Sequence, residues 1–460
     1  MKTDLYKEVE AAINRKDIEA IKNYILDNEY EISGWGKVDL IIQMLKINRK
    51  ECLKFIEQYI EGDVNALNLS YAQDVDILLA TKSKECIEKF LEKNFKKINS
   101  EQKKYLIEAT NDGVFMAKCV NSDELFLEMK DRKSIIENII VMQDEEAVRT
   151  LIKLGIPDTT KKIEIPKKMT VGIEIEVDGI RIREDLVDGW IAKTERSLPD
   201  GTEIVSPVLK KHEEDCKNIY GICNLLKQAG GYTNQKCAAH VHIGADYLTT
   251  KKAYANFLEL WCNSEELLYL ISNPPGEVTR QEAYEDMAFA SPISKKVKKA
   301  IETGDLYLSD EEDLENFVKQ IKKTQGDARY YSVNFLNIEK KGKNTIEIRL
   351  SNGTIEPEIW IENINLFCGL IKALEDLAKI QVKEEKNDEE KEKLKQLEII
   401  KNKKIPEEER LEALLTLTVS EEQKEIYRER YRKNRIEFNK NQRKIERLRQ
   451  EIEEETISLD

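Results

Sequence analysis

The chain has 460 residues, 40% hydrophobic and 35% charged, with a formal charge of −14. That length gives room for about three domains, and the acidity argues against a nucleic-acid partner, which demands clustered positive charge. No apolar run reaches the roughly 18–20 residues of a membrane span, no apolar secretory segment follows Met1, and the eight cysteines are scattered without a C-x-x-C pair. The expectation is a reduced, cytoplasmic protein that neither binds nucleic acid nor enters a membrane.

Residues 1–157 read as paired amphipathic helices: 5–14 with 18–26, 38–47 with 51–60, 75–80 with 85–91, 103–109 with 114–120, and 134–141 with 145–154. Ile21, Leu53, Ile87 and Val148 take equivalent apolar places in the second helices, 32, 34 and 61 residues apart, the last step covering two repeats. A pair period near 33 resembles ankyrin repeats, although the T-P-L-H signature is absent. Another helical-repeat solenoid is the competing reading. Either way each pair has an apolar face that only its neighbours can cover.

The pattern changes after Pro157. Across 158–381, β-like segments at 171–177, 203–208, 239–243, 331–338 and 345–350 alternate with helical stretches at 217–229, 251–271 and 359–380. Intermixed strands and helices without a strict β-α-β rhythm predict an α+β domain with a mostly antiparallel sheet. Residues 382–460 form a charged helical extension, of which 383–404 reads as a solvated helix or disordered connector. Further on, Tyr431, Phe438, Ile445 and Ile452 recur every seventh residue, with Leu448 beside them. That narrow seam is coiled-coil-like and would serve either homo-oligomer formation or docking onto its own domain.

Polar patterns interrupt the strands at Gly172-Ile173-Glu174-Ile175-Glu176, Gly201-Thr202-Glu203, Ala239-His240-Val241-His242 and Thr345-Ile346-Glu347-Ile348-Arg349. Residues i and i+2 of a strand share a face, roughly 6.5–7 Å apart. Glu174 with Glu176, His240 with His242, and Glu347 with Arg349 would therefore crowd one side, leaving Ile175, Val241 and Ile348 on the other. A solvent-exposed strand face is the plain explanation for any single pattern. Several together, holding two of only three histidines, point to carboxylates and imidazoles gathered around a cation. Oxygen-rich ligands with an occasional imidazole suit Mg²⁺ or Mn²⁺, and the fork of Arg349 suits a phosphate. Cys237, His240 and His242 would make part of a zinc site, but no second cluster completes it. P-loop, dinucleotide-binding and G-x-S-x-G motifs are missing.

Residues 169–380 resemble the amidoligase family, carboxylate–amine ligases related in fold to glutamine synthetase and glutamate–cysteine ligase. The resemblance rests on G-I-E-I-E at 172–176, S-L with G-T-E-I-V-S-P at 197–207, C-A-A-H-V-H-I-G at 237–244, R-Y-Y-S-V-N-F at 329–335 and T-I-E-I-R-L at 345–350, closing with Trp360. Where the family has D-x-S-L and C-G-x-H-V-H, this chain has Glu195 before Ser197-Leu198, and Ala238 after Cys237.

The resemblance implies ATP-dependent amide or isopeptide bond formation through an acyl phosphate. Glu174, His240 or His242, and Glu347 would hold one Mg²⁺ or Mn²⁺ near the terminal phosphates. Glu176 and Glu203 would hold a second near the acceptor carboxylate, making Glu203 part of the catalytic set. Arg349 would stabilise the transferring phosphoryl group, Arg329 would hold phosphate or substrate carboxylate, and Asn334 would position the nucleotide. The N-terminal repeats imply a peptide or protein substrate, with a small amine or amino acid as co-substrate. Two readings compete with the ligase: a non-catalytic interaction scaffold with an inactive ligase-like domain, and a metal-dependent phosphotransferase.

Overall fold

The structure is a computed structural model that describes residues 2–62, 67–210, 212–276, 290–308 and 313–457, the side chains at 2–6, 212, 442 and 444–457 aside. It divides into two compact units, Met1–Gly155 with Gln228–Gly230, and Ile156–Lys227 with Gly231–Asp460.

The first unit is built from five helical hairpins. They pair α1 (Lys2–Arg15) with α2 (Ile18–Asp27), α3 (Gly34–Ile47) with α4 (Arg49–Glu61), and α5 (Tyr71–Thr81) with α6 (Lys84–Asn94). The last two pair α7 (Ser100–Ala109) with α8 (Gly113–Val120), and α9 (Met129–Val141) with α10 (Glu145–Leu154). One turn chemistry recurs. Each second helix opens on a short polar side chain, Asp17, Asn48, Ser83, Asp112 or Asp144, that accepts a first-turn N–H. Such caps satisfy donors the helix itself leaves unpaired. In four of the five, the preceding residue (Lys16, Lys82, Asn111 or Gln143) is left-handed and reverses the chain.

Aligning the hairpins on these caps corrects the sequence register. The residue four places after each cap is Ile21, Cys52, Ile87, Met116 or Val148, and all five are buried. Cys52 replaces Leu53, which is only half-buried, because the cap fixes helical phase more sharply than apolar periodicity does. First helices contact first helices (α3 with α5, α5 with α7, α7 with α9), and second helices contact second (α4 with α6, α8 with α10). Each hairpin thus covers its neighbour's apolar face.

The second unit centres on a six-stranded sheet of order β2-β3-β1-β4-β6-β5, every pairing antiparallel. The strands are β1 (Val171–Val177), β2 (Ile191–Lys193), β3 (Thr202–Val205), β4 (Ala238–Gly244), β5 (Val333–Asn334) and β6 (Thr345–Asn352). Alternation gives one fully buried apolar side: Ile173, Ile175, Val241, Ile243, Ile346 and Ile348. Helix α11 (His212–Gln228) precedes β4, and α12 (Lys251–Ile271) follows it. Next come α13 (Ser294–Thr303), α14 (Leu314–Gln325) and, after β6, α15 (Pro357–Gln381). Helix α12 contacts β6, α15 contacts β4, and the two helices contact each other.

The charged C-terminal stretch belongs to this unit. Helices α16 (Asp388–Lys401), α17 (Glu407–Thr418) and α18 (Glu421–Ile457) pack onto α12 and α15. A Cβ at Gly369 of α15 would lie 1.8 Å from the Thr418 carbonyl oxygen of α17, so only glycine permits that approach. Arg430 of α18 is 1% exposed. It ion-pairs with Glu362 and donates to Ile271 O and Asn363 Oδ1, both at 3.0 Å. Residues 383–404 are less solvated than their charge suggested, since Leu397 and Ile400 are buried. Of the seven-residue seam, Tyr431 is buried and its hydroxyl donates to Glu407 of the same unit at 2.6 Å. Phe438 is half-buried, and the side chains of Ile445, Leu448 and Ile452 lie outside those described.

Candidate active site

The polar side of the sheet gathers residues from five strands because the registers line them up. Glu174 lies opposite His240, and Glu176 opposite Glu203. His242 lies opposite Glu347, which in turn faces Asn334. A bulge between β4 and β6 falls at His240, where two β6 residues, Arg349 and Leu350, share one partner position. Glu174, Glu176, His240, His242, Asn334, Glu347 and Arg349 are all buried, each 7% exposed or less. All of these except His242 line a cavity of about 480 Å³.

Two donor groups separate on this face. Glu174, His242 and Glu347 offer ligand atoms within 4.8 Å of one another, as do Glu176, Glu195 and Glu203. The E-x-E of β1 thus supplies one carboxylate to each.

In the first group, Glu174 Oε2 lies 3.0 Å from His240 Nδ1, and Glu174 Oε1 lies 3.1 Å from both His242 Nε2 and Lys343 Nζ. Burial pushes the Glu174 carboxyl upward, but its two imidazole neighbours outweigh burial and hold it well below the usual range. Burial, reinforced by the Arg349 charge, lowers His240 to about 4. A neutral His240 then donates Nδ1–H to Glu174 and keeps a lone pair on Nε2. The buried Nε2 atoms of both histidines and Nε of Arg349 have no hydrogen-bond partner. His242 Nε2, though close to Glu174, lies out of line for a hydrogen bond. Its Nδ1 sits 3.2 Å from Thr345 Oγ1, a contact that would orient the ring for ligation.

Glu347 is held from three sides. Arg349 ion-pairs with Oε1, while Asn334 and Asn337 each donate to Oε2 at 2.9 Å. Burial alone would raise this carboxyl, but the charges of His240, His242 and Arg349 bring it down to about 2. Asn334 also accepts from Gln325 at 2.7 Å, so its amide is committed to orienting Glu347.

In the second group, Glu176 accepts the Ala238 N–H at 2.7 Å, and Glu195 accepts the N–H and hydroxyl of Ser197, both at 3.1 Å. Lys193 lies 3.5 Å from Glu203. Burial, followed by the nearby Glu174 charge, raises the Glu203 carboxyl. Three carboxylates this close repel one another, and a bound cation relieves that repulsion. Both groups fit a hard divalent ion: the donors are carboxylate oxygens with at most one imidazole nitrogen. Among the described residues, Cys237 joins neither group, and its thiol lies 3.7 Å from Asn234 Oδ1.

Arg329 lines the same cavity from the 327–331 segment. The Tyr330 ring lies close to both arginines, 5.4 Å from the Arg329 guanidinium and 5.9 Å from that of Arg349. Every sequence-derived site residue except His242 lines the cavity. The sequence reading left Asn337, Tyr330 and the lysines 193, 236, 340 and 343 unassigned. Tyr330 lies in the R-Y-Y-S-V-N-F stretch at 329–335, and the basic run Lys340-Lys341-Gly342-Lys343 carried a signal for two of the lysines, although such runs ordinarily mark a solvated turn.

Residues 187–371 match the model of a family described as "Putative amidoligase enzyme". No curated protein matches the chain. No helix among the described residues is long and apolar enough to cross a membrane. The match begins after β1 and ends within α15, so it takes in Glu195, Glu203, both histidines, Arg329, Asn334, Glu347 and Arg349, and it supports a ligase of the amidoligase kind.

Proposed function

We propose that the chain is an ATP- and Mg²⁺- or Mn²⁺-dependent carboxylate–amine ligase acting on a peptide or protein. The observation that carries this reading is the pair of donor groups sharing one sheet face, one leg of Glu174-x-Glu176 in each. The cavity lining carries as many acidic as basic side chains, six of each. Two divalent ions would make it strongly positive, which suits a nucleoside triphosphate beside a carboxylate.

The substrate carboxylate oxygen attacks the γ-phosphorus as the bond to the β-phosphate oxygen breaks, releasing ADP. An amine nitrogen then attacks the acyl carbon, the C–O bond to phosphate breaks, and a proton leaves the nitrogen. Bound ions would neutralise phosphate charge during the first step. Arg349, aligned by Glu347 and by the Tyr330 face, would meet the transferring phosphoryl group, and Arg329 at the exposed mouth would hold the incoming anion. The buried sheet face would keep water from the acyl phosphate.

Recruitment through the hairpins is supported by exposed Trp35, Tyr71 and Tyr105, on the first helices of three successive pairs. Removing residues 1–157 should then cost modification of the native target. The reading itself is tested by incubating the full chain with ATP, Mg²⁺ and cell extract, and seeking condensation products that have lost water by mass spectrometry. ADP release that needs both a carboxylate and an amine marks a ligase. Release with neither marks an ATPase, and no release even with Mn²⁺ marks a scaffold.

A further inference from the structure

Among the described residues the sheet ends on β2, and hydrogen-bond parity fixes what that edge offers. The Ser206 N–H donates to Ile173 O in the β1–β3 ladder. Because Ile175 lies opposite Ile204 in the same register, Ile204 directs its N–H and C=O toward β1, and Glu203 and Val205 direct theirs toward β2. Ile191 lies opposite Val205 and Lys193 opposite Glu203, so their backbone groups belong to the β2–β3 ladder. Ala192, between them, turns its N–H and C=O outward. Neither group has a backbone partner among the described residues. The edge is accessible, with Ile191 42% exposed and Lys193 exposed as well.

This edge leads into the site. Lys193, Thr194, Glu195 and Ser197 all line the cavity, and Glu195 lies about 10 Å along the chain from Ala192 at strand rise. The side chains of Ile191 and Lys193 share the face of Glu203, whereas that of Ala192 points to the other side.

We propose that an extended peptide adds as a further strand on β2, exchanging hydrogen bonds with Ala192, and so delivers its own carboxylate to the Glu176–Glu195–Glu203 group. This rests on the ligase reading of that site and names the acceptor as a peptide in β conformation. An extended backbone is the occupant that meets an outward N–H and C=O together. Lys193 favours an acidic residue beside it, and Ile191 an apolar one two positions away. One residue's pair of hydrogen bonds is too little to hold two copies of the chain edge to edge. It is enough to align a substrate whose carboxylate is bound in the cavity.

The test starts with affinity selection of randomised hexapeptides on the full chain with Mg²⁺. Enriched peptides should carry an acidic residue and slow hydrogen exchange across residues 190–194. N-methylation of one peptide amide should weaken binding about tenfold, the loss expected for an edge hydrogen bond. Ala192→Pro, verified by an unchanged melting temperature, should weaken it similarly. C-terminally amidated peptides and Glu→Gln peptides show whether the terminal or the side-chain carboxylate is presented. The proposal is overturned if no peptide is enriched, if protection falls elsewhere, or if every N-methylated peptide binds as tightly as its parent. Self-association that Ala192→Pro abolishes would also overturn it, assigning the edge to a second copy. ATP turnover without peptide is measured separately, so a failed ligase reading and a failed docking edge remain distinguishable.

Discussion

Lys37 and Lys103 in the helical unit, at 2% and 5% exposed, are buried as deeply as His240 and Glu174 on the sheet, at 3% and 7%. Their surroundings differ in completeness. Lys37 in α3 donates to Leu67 O at 2.8 Å, and Lys103 in α7 donates to Leu125 O at 2.7 Å. Each lysine thereby ties down the loop that enters the next hairpin. Asp74 accepts from Tyr59 at 2.9 Å, and Asp131 from Ser100. On the sheet, the Nε2 atoms of both histidines and Nε of Arg349 are buried without a hydrogen-bond partner, although His242 Nε2 lies 3.1 Å from Glu174 Oε1. A buried unsatisfied group costs about 1–3 kcal/mol, and three on one face are a cost that packing does not explain. In the helical unit closed pairs hold the loops of the fold, and on the sheet the open atoms cluster on the donor-bearing face, whereas Arg410 Nε of α17 is open singly.

The comparison breaks most visibly at Glu347. Glu347→Gln keeps the shape but removes the charge that would bind an ion and that Arg349 leans on. ATP turnover with Mg²⁺ should fall at least about 10³-fold, while the circular dichroism spectrum stays that of the parent. Turnover within tenfold of wild type would place the chemistry elsewhere. Arg349→Lys comes next. The ammonium keeps the charge but loses the planar fork and the contact with the Tyr330 face, so kcat should drop roughly 10²-fold. A near-unchanged kcat would make Arg349 a structural partner of Glu347, as closed as Lys103 is to Leu125.

Much of this contrast was legible in the residue order, and the unread parts share a cause. Alternation along a strand predicted which side Glu174, Glu176, His240, His242, Glu347 and Arg349 share, because side-chain direction is a local property of the backbone. Register between strands is not local, so the division of the carboxylates into two groups came from the family resemblance rather than from alternation, and Glu195, which lies beyond β2, joins the second group only in the folded chain. β2 is three residues long and leaves too short an alternation to read. Tyr331–Ile338 has the pattern of a full strand, yet only Val333–Asn334 forms one, with Tyr331 adding an isolated bridge to Ser291. Asn334 and Asn337 turn back onto Glu347, and the Leu336 N–H bonds the Asn334 side chain at 3.0 Å rather than a neighbouring strand. In the hairpins, the capping residues held the phase that hydrophobicity blurred. The C-terminal helices read as an extension because their charge dominates composition, while the apolar residues that dock them, such as Leu397, Ile400, Leu414 and Tyr427, are spaced thinly among charges, and Arg430 and Gly369 give no apolar signal at all.

On the structural side, Lys103→Met removes a donor that the buried Leu125 carbonyl depends on, although it also relieves a buried ammonium whose pKa burial already lowers. The lost partner should prevail, with the helical unit destabilised by about 1–3 kcal/mol. The check is an earlier first transition in urea, with ATP turnover at the sheet unaltered. Should stability hold while turnover falls, the separation between closed and open charges fails at this residue.

The smallest effect tests a residue on the border of the two classes. Lys343 sits on the turn into β6, beside Gly342 at φ +79°, and its side chain is 40% exposed. Its ammonium lies 3.1 Å from Glu174 Oε1, the oxygen that also faces His242 Nε2. A divalent ion binding there must share that oxygen with the lysine or push it aside, and either raises the cost of loading. A half-exposed pair of this kind is worth about 0.2–1 kcal/mol, so removing it should be felt as a modest gain. Lys343→Met should tighten Mn²⁺ binding about two- to fivefold, read from free-Mn²⁺ electron paramagnetic resonance of the full chain without nucleotide. Weaker binding in the variant would show instead that Lys343 steadies Glu174 for the ion, and would move it among the closed pairs that keep the fold.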